Sequence, residues 1–144
     1  MKSTNPEAQI RHLIDERSNA IDAKNMDALL SNHASDVLSF DVLNPLESRG
    51  VETIRSRAQR WFTSYQSAIG YEVRNLHITA GEDVAFCTYL YHVTGQQQSG
   101  DRVDMWVRAT VCFQQRNGKW LIVHEHQSVP FDPTTGKASL DLKP

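Results

Sequence analysis

The chain has 144 residues, long enough for one domain with a sizeable core, and its 15 Lys and Arg against 17 Asp and Glu leave a formal net charge of −2. Without a basic block, nucleic acid is disfavoured as a partner, because phosphate recognition needs concentrated Lys and Arg. No apolar run approaches the roughly 20 residues of a membrane span, and the start, Met1-Lys-Ser-Thr-Asn-Pro-Glu7, lacks an apolar leader core. A cytoplasmic protein is expected, with residues 1–144 as a single domain and no membrane partner.

In chain order, Pro6 to Lys24 reads as an amphipathic helix. Ile10, Leu13, Ile14, Arg17 and Ile21 recur at helical spacing, and Asn5-Pro6 supplies a cap and a first-turn proline. A short helix follows from about Met26 to His33. Val37 to Leu43 is a strand, closed by Asn44-Pro45 and Gly50. A third helix runs from about Val51 to Gln66 with Ile54, Ala58, Trp61, Phe62 and Tyr65 along it. After Gly70 the period changes to two, giving strands at about 71–80, 84–95, 102–115 and 119–129. The tail 131–144, with Pro133 and Gly136, is an irregular C-terminal strap whose Leu140 and Leu142 need cover. Cys87 and Cys112 lie in strand-like runs without metal spacing and are expected to be reduced, structural thiols.

Helices first and strands afterwards means α+β: three helices against a strongly curved mixed or antiparallel sheet. Such a sheet encloses a cone-shaped pocket suited to a small ligand. Asn117-Gly118 folds the last two strands into a hairpin, and strand parity sorts their residues. With a bulged glycine at Gly118, one face carries Val107, Ala109, Val111, Val123, Glu125 and Gln127, an apolar set suited to a cavity. The other carries Asp104, Trp106, Arg108, Thr110, His124, His126 and Ser128, suited to the outer face or, alternatively, to the site. A tight two-residue turn would shift these partners by one.

The order of elements and the string Gly118-Lys-Trp-Leu-Ile-Val-His-Glu-His-Gln-Ser128 resemble the nuclear transport factor 2-like superfamily. Within it, Trp106-Val-Arg-Ala-Thr110 and His124 to Pro130 look like the SnoaL-like, ketosteroid-isomerase-like proteins of the SgcJ/EcaC type. The glycine-to-serine string is also similar to the hub domain of the calcium/calmodulin-dependent protein kinase. The resemblance implies the cone-shaped fold, a homodimer through the outer sheet face (Trp106, Arg108, His124, His126) and no cofactor. The segment from Ile21 to Asp41, followed by Arg49-Gly50, matches the ketosteroid isomerase spacing. That match implies Asp41 as general base and places Arg17 where those enzymes keep an oxyanion-stabilising tyrosine. Their second donor, a protonated aspartate, falls near Thr110 or Val111, which argues against ketosteroid isomerisation itself. Against the hub, His92 and Gln127 fall on pocket positions.

The candidate residues carry open alternatives. Asp41, mid-strand between Phe40 and Val42, is either a general base or acid with a pKa raised by an apolar cavity, or an aspartate that caps the Asn44-Pro45 turn or pairs with Arg49. His92 is a catalytic proton carrier or a hydrogen-bonded sheet histidine. Glu125 pairs with His92 or Asp41, or sits in a satisfied ion pair. Trp61 and Tyr65, four apart, contact substrate or fill the core, and Tyr89 and Tyr91 pack outside or at an interface. His124 and His126 share a strand face, but a third metal ligand is not evident from spacing, so no metal is assigned. The expected function is acid–base chemistry, isomerase- or cyclase-like, on a compact apolar carbonyl compound. The alternatives are a non-catalytic binding module and a dimeric assembly module.

Overall fold

The computed structural model describes residues 5–144; residues 1–4, part of the start read above for a leader, lie outside them. Nine elements follow one another: α1 (Pro6–Asp22), α2 (Met26–Leu30), β1 (His33–Phe40), β2 (Ser48–Arg49), α3 (Val51–Thr63), β3 (Gly70–Ala80), β4 (Val84–Gln96), β5 (Arg102–Arg116) and β6 (Lys119–Ser128). The fold is α+β, with one six-stranded sheet in the order β2-β1-β6-β5-β4-β3. β1 runs parallel to β6 and every other neighbouring pair is antiparallel, so the sheet is mixed. No helix of the described residues is long and apolar enough to cross a membrane.

Local chemistry starts the helices. Asn5 accepts the Glu7 N–H at 2.9 Å ahead of Pro6, and Asn25 accepts the Ala28 N–H at 3.1 Å. α2 stops at Leu30, earlier than its apolar pattern suggests, because the chain from His33 joins β6. The short strand β2, absent from the sequence reading, forms where Ser48 and Arg49 pair back onto Ser39 and Leu38.

The hairpin corrects one expectation. Asn117 (φ 54°) and Gly118 (φ 78°) make a tight two-residue turn, with Arg116 opposite Lys119. Two positive φ values suit a turn whose twist matches the strands. The irregularity sits farther along: Cys112 pairs with His124 and Phe113 with Ile122, which leaves Val123 as the extra residue. Val123 therefore drops out of the cavity-facing set, and Trp120 and Ile122 are buried instead. Past the bulge, Val111 faces Glu125 and Ala109 faces Gln127, the pairing read from parity. A second register shift, between Arg74 and His77 in β3, contains Asn75 at φ 59°. Bulges bend and twist a strand, and these two lie on the central strand β6 and the edge strand β3, where they curl the sheet over the helices.

β4 carries a second correction. Cys87, Tyr89, Tyr91 and Val93 face inward, so Tyr89 and Tyr91 do not pack outside. Leu90 and His92 take the opposite face, opposite Arg108 and Trp106. The run from Phe86 to Val93 carries large apolar or aromatic residues on both sides, Phe86 and Leu90 on one and Tyr89, Tyr91 and Val93 on the other, so alternation alone left its phase open. Cys87 and Cys112 are both free and lie on opposite faces of the sheet.

α1 packs on β3, while α3 covers β1 and β2. The core joins Ile10, Ile14 and Ile21 of α1, Phe62 of α3 and the inner residues of β4 to β6. The strap after β6 closes a small loop, with Phe131 bridging Ala138 and the Ser139 N–H bonded to the Pro130 carbonyl at 2.7 Å. Phe131, Leu140 and Leu142 stay exposed on it.

Gly95 shows how close the sheet comes to the end of α3. A Cβ there would lie 2.8 Å from the Tyr65 ring, on a residue at φ 153°. Gly95→Ala is expected to cost about 1–3 kcal/mol through this clash, read as a lower denaturant midpoint. An unchanged midpoint would show that the Tyr65 ring yields freely.

Candidate active site in the cone

A cavity of about 520 Å³ opens between the helices and the curved sheet. Ile21 of α1, Ile54, Ala58 and Trp61 of α3, and Val93, Val103, Met105 and Val107 of the sheet give it apolar walls. Tyr65, Tyr71 and Tyr91 add aromatic surface, and Tyr71 stacks on Tyr91 with ring centroids 4.5 Å apart. Asp41, Val42, Leu43 and Asn44, which follow β1, stand at the mouth, where Leu43 is exposed. No residue of the strap lines this cavity.

The floor is ionic. The Arg17 Nη1–H donates to Glu125 Oε1 at 2.6 Å, and the His33 Nε2–H donates to the same oxygen at 2.7 Å. All three side chains are buried, on α1, β6 and the first residue of β1. Burial pushes the Glu125 carboxyl up, but Arg17 and then His33 overcome it and hold the group well below the usual carboxylate range. Glu125 is thus a fixed charge, not a proton donor at neutral pH. It pairs with neither His92 nor Asp41. Arg17 Nε and His33 Nδ1 are buried without a hydrogen-bond partner, so neither atom meets the open cavity.

Nearer the mouth, Arg57 Nε forms an ion pair with Asp41 Oδ2 at 2.8 Å. The same guanidinium donates to Ser39 Oγ at 2.9 Å and to Ser48 Oγ at 3.2 Å, and Asp41 Oδ1 accepts the Val42 N–H at 2.7 Å. Asp41 lines the cavity, with Arg57 rather than Arg49 as its partner. The reason is position: Arg57 lies on the side of α3 that carries Ile54, Ala58 and Trp61, all of which line the cavity. Ser39 pairs with Glu125 and Phe40 with His126. The parallel ladder therefore brings Asp41 to the level of Gln127.

The Tyr91 hydroxyl donates to Gln127 Oε1 at 2.9 Å. Burial pushes the Tyr91 phenol well above its ordinary value, so it remains a neutral donor. With its oxygen engaged, Gln127 keeps its Nε2–H groups without a protein partner among the described residues, on a side chain that lines the cavity. Tyr71 and Tyr89 share a hydrogen bond of 3.0 Å deeper in.

His92 does not belong to this site. It sits on the outer face, hydrogen-bonded through Nε2 to Asp104 Oδ1 at 2.6 Å and stacked on Trp106 at 4.6 Å. Arg74 covers the Trp106 ring at 4.8 Å. Arg108, His124 and His126 share that face, where Phe40 meets the two imidazoles edge-on at 4.9 and 5.6 Å. Among the described residues no group of three or more His, Cys, Asp or Glu side chains is arranged to hold a metal ion.

The cone thus gathers Asp41, Trp61, Tyr65, Glu125 and Gln127 and leaves out His92. His33, Arg57, Tyr71 and Tyr91 complete it without having been foreseen as site residues. A charged residue in the Ile54–Ala58–Trp61 stripe was a usable signal for Arg57. His33 had none, because its burial depends on where β6 lies.

A family model described as a SnoaL-like domain matches residues 10–132. An NTF2-like protein of unknown function from Pseudomonas putida is similar over 100% of both chains, at 28% identity and TM-score 0.89. An NTF2-like family protein from Streptomyces avermitilis, provisionally assigned as a dehydratase, is 16% identical over 88% of this chain and 98% of its own, with TM-score 0.76. A hexachlorocyclohexane dehydrochlorinase from Novosphingobium barchaimii is 14% identical over 84% of each chain, with TM-score 0.73. No curated protein matches the chain.

The ionic floor makes a prediction of its own. Glu125→Gln leaves Arg17 buried without its counter-charge and should cost about 3–5 kcal/mol at neutral pH. The Glu125 pKa is lowered on folding, so its contribution is complete above the unfolded carboxylate value of about 4.3 and is lost as pH falls below that. Urea titrations of both proteins should therefore converge on acidification. A gap that stays constant from neutral to acidic pH would mean that Glu125 is not charged in the folded protein.

Proposed function

We propose that this chain, which belongs to the SnoaL-like domain family, uses its cone to bind a compact, largely apolar carbonyl compound and moves a proton on it. The observation that carries the reading is the placement of the Asp41 carboxylate at the level of Gln127, whose Nε2–H groups have no protein partner among the described residues, on a wall rich in apolar and aromatic side chains. In this reading Asp41 takes a proton from the carbon next to the carbonyl. The C–H electron pair moves into the new C=C bond and the carbonyl π pair onto oxygen. That oxygen accepts the Gln127 Nε2–H, a donor held in place by Tyr91. Where the compound carries a β,γ double bond, the proton returns to the γ-carbon and gives the conjugated isomer, so the step needs no electron acceptor. Arg57 fixes the direction in which Asp41 presents its oxygens. Two relatives in fold are named for dehydration and dehydrochlorination, reactions in which a C–H proton also leaves.

A second reading has its own support. Both Asp41 oxygens are engaged, one by Arg57 and one by the Val42 N–H, as in a carboxylate that only shapes a binding site. The two readings separate in deuterium oxide. A panel of compact cyclic and aryl ketones, followed by proton NMR, should reveal at least one whose α-hydrogen exchanges only with the protein present. Asp41→Asn should slow that exchange by about a hundredfold or more while the ligand still binds. A ketone that binds without exchanging would make the cone a binding module.

We propose also that two copies pair through the outer sheet face. An aromatic and cationic stack of Arg74, Trp106 and His92 lies there beside Arg108, His124 and His126, and Phe86 is 46% exposed on the same face. Sedimentation at micromolar concentration should give a dimer, and Trp106→Ala should shift it toward monomer. A variant that sediments as the parent does would move the interface elsewhere.

A further inference from the structure

The ionisable side chains that line the cone do not balance. Arg17, Arg57 and Arg60 bring three guanidinium groups to the wall, against the two carboxylates of Glu125 and Asp41. Arg17 is matched by Glu125 at 2.6 Å and Arg57 by Asp41 at 2.8 Å. Arg60 has no ion-pair or side-chain hydrogen-bond partner among the described residues. His33 adds no negative charge in either protonation state. The lining therefore carries at least one uncompensated positive charge, that of Arg60, at the solvent-exposed rim of a concave cavity.

Position makes this charge usable. Arg60 is in the last turn of α3, one turn beyond Arg57 and next to Trp61, and it is exposed while still lining the cavity. An apolar body lying against Trp61, Tyr91 and Met105 would place a terminal acid group beside it. We infer that the ligand of the cone is a monocarboxylic acid and that Arg60 is the residue that selects its carboxylate. One guanidinium offers two parallel N–H groups to a planar carboxylate and matches a single charge. A phosphate dianion would leave one charge unmatched beside Asp41. The inference rests on the ligand-binding reading above and deepens it: the substrate is a keto acid or another acid with an apolar body, held by its carboxylate at the mouth.

The test uses two probes of one shape, cinnamate and cinnamamide, with isothermal titration calorimetry on the full chain. Cinnamate should bind about tenfold more tightly than the amide at low salt, the size expected for a hydrogen-bonded charge, and lose that advantage as salt is raised. Arg60→Gln should erase the preference and leave the amide unaffected. Arg55→Gln, on the same helix but paired outward with Asp27 and Glu52, should leave the preference intact. Equal binding of the two probes, a preference that survives in Arg60→Gln, or one that Arg55→Gln also erases would overturn the acid assignment while the cone remains a ligand site. Failure of both probes to bind would overturn the assignment together with the ligand-binding reading.

Discussion

Everything in this molecule turns around Glu125. Its carboxylate receives Arg17 from α1 and His33 from the start of β1, on one oxygen, under full burial. Taking three polar side chains out of water is costly, and only close pairing offsets it. The arrangement is therefore selective before it is stabilising. It is satisfied only when α1, β1 and β6 stand in one relation to each other. A slip of β6 by one residue would send Glu125 to the outer face and leave Arg17 buried alone. The bulge at Val123 is part of the same constraint, because it sets the phase of β6 after the tight turn at Asn117-Gly118.

That fixed floor separates two electrostatic tasks along the cone. The deep carboxylate is spent on structure and stays charged. The carboxylate at the mouth, Asp41, is only partly shielded, and its partner Arg57 is itself anchored by Ser39 and Ser48. Between them the wall is apolar and aromatic, with Gln127 oriented by the neutral phenol of Tyr91. A small molecule entering this space meets few polar groups, each with its direction set by a second residue. Pre-oriented groups of this kind discriminate well, because they do not have to be organised when the ligand arrives.

The outer face shows the opposite economy. Trp106, His92 and Arg74 stack in the open, and the imidazole that the hub resemblance aimed into the cone is held by Asp104 instead. The exposed Leu46, and Phe131, Leu140 and Leu142 on the strap, are apolar surface outside the cavity, while the exposed Leu43 lines its mouth. The chain thus divides its aromatic residues by role: tyrosines that need hydroxyl partners go inward, and the flat Trp–His pair stays at the surface, where its edges reach water.

The sequence by itself determined the helix starts, the hairpin, the order of elements and the alternation within β5 and β6, because these follow from capping, turn chemistry and strand parity over a few residues, whereas the bulge at Val123 decided that Val107, Ala109 and Val111 share the inward face with Glu125 and Gln127. It also carried the family string and the inward stripe of α3. It did not determine the phase of β4, where Leu90 and Tyr91 were equally good core residues, and so it misplaced His92, Tyr89 and Tyr91. Nor did it show that Glu125 would find Arg17, 108 positions away, and His33, 92 positions away. Those choices belong to the tertiary structure. Burial is settled by which strand lies beside which, and a charge finds its partner only after the curved sheet has closed over the helices.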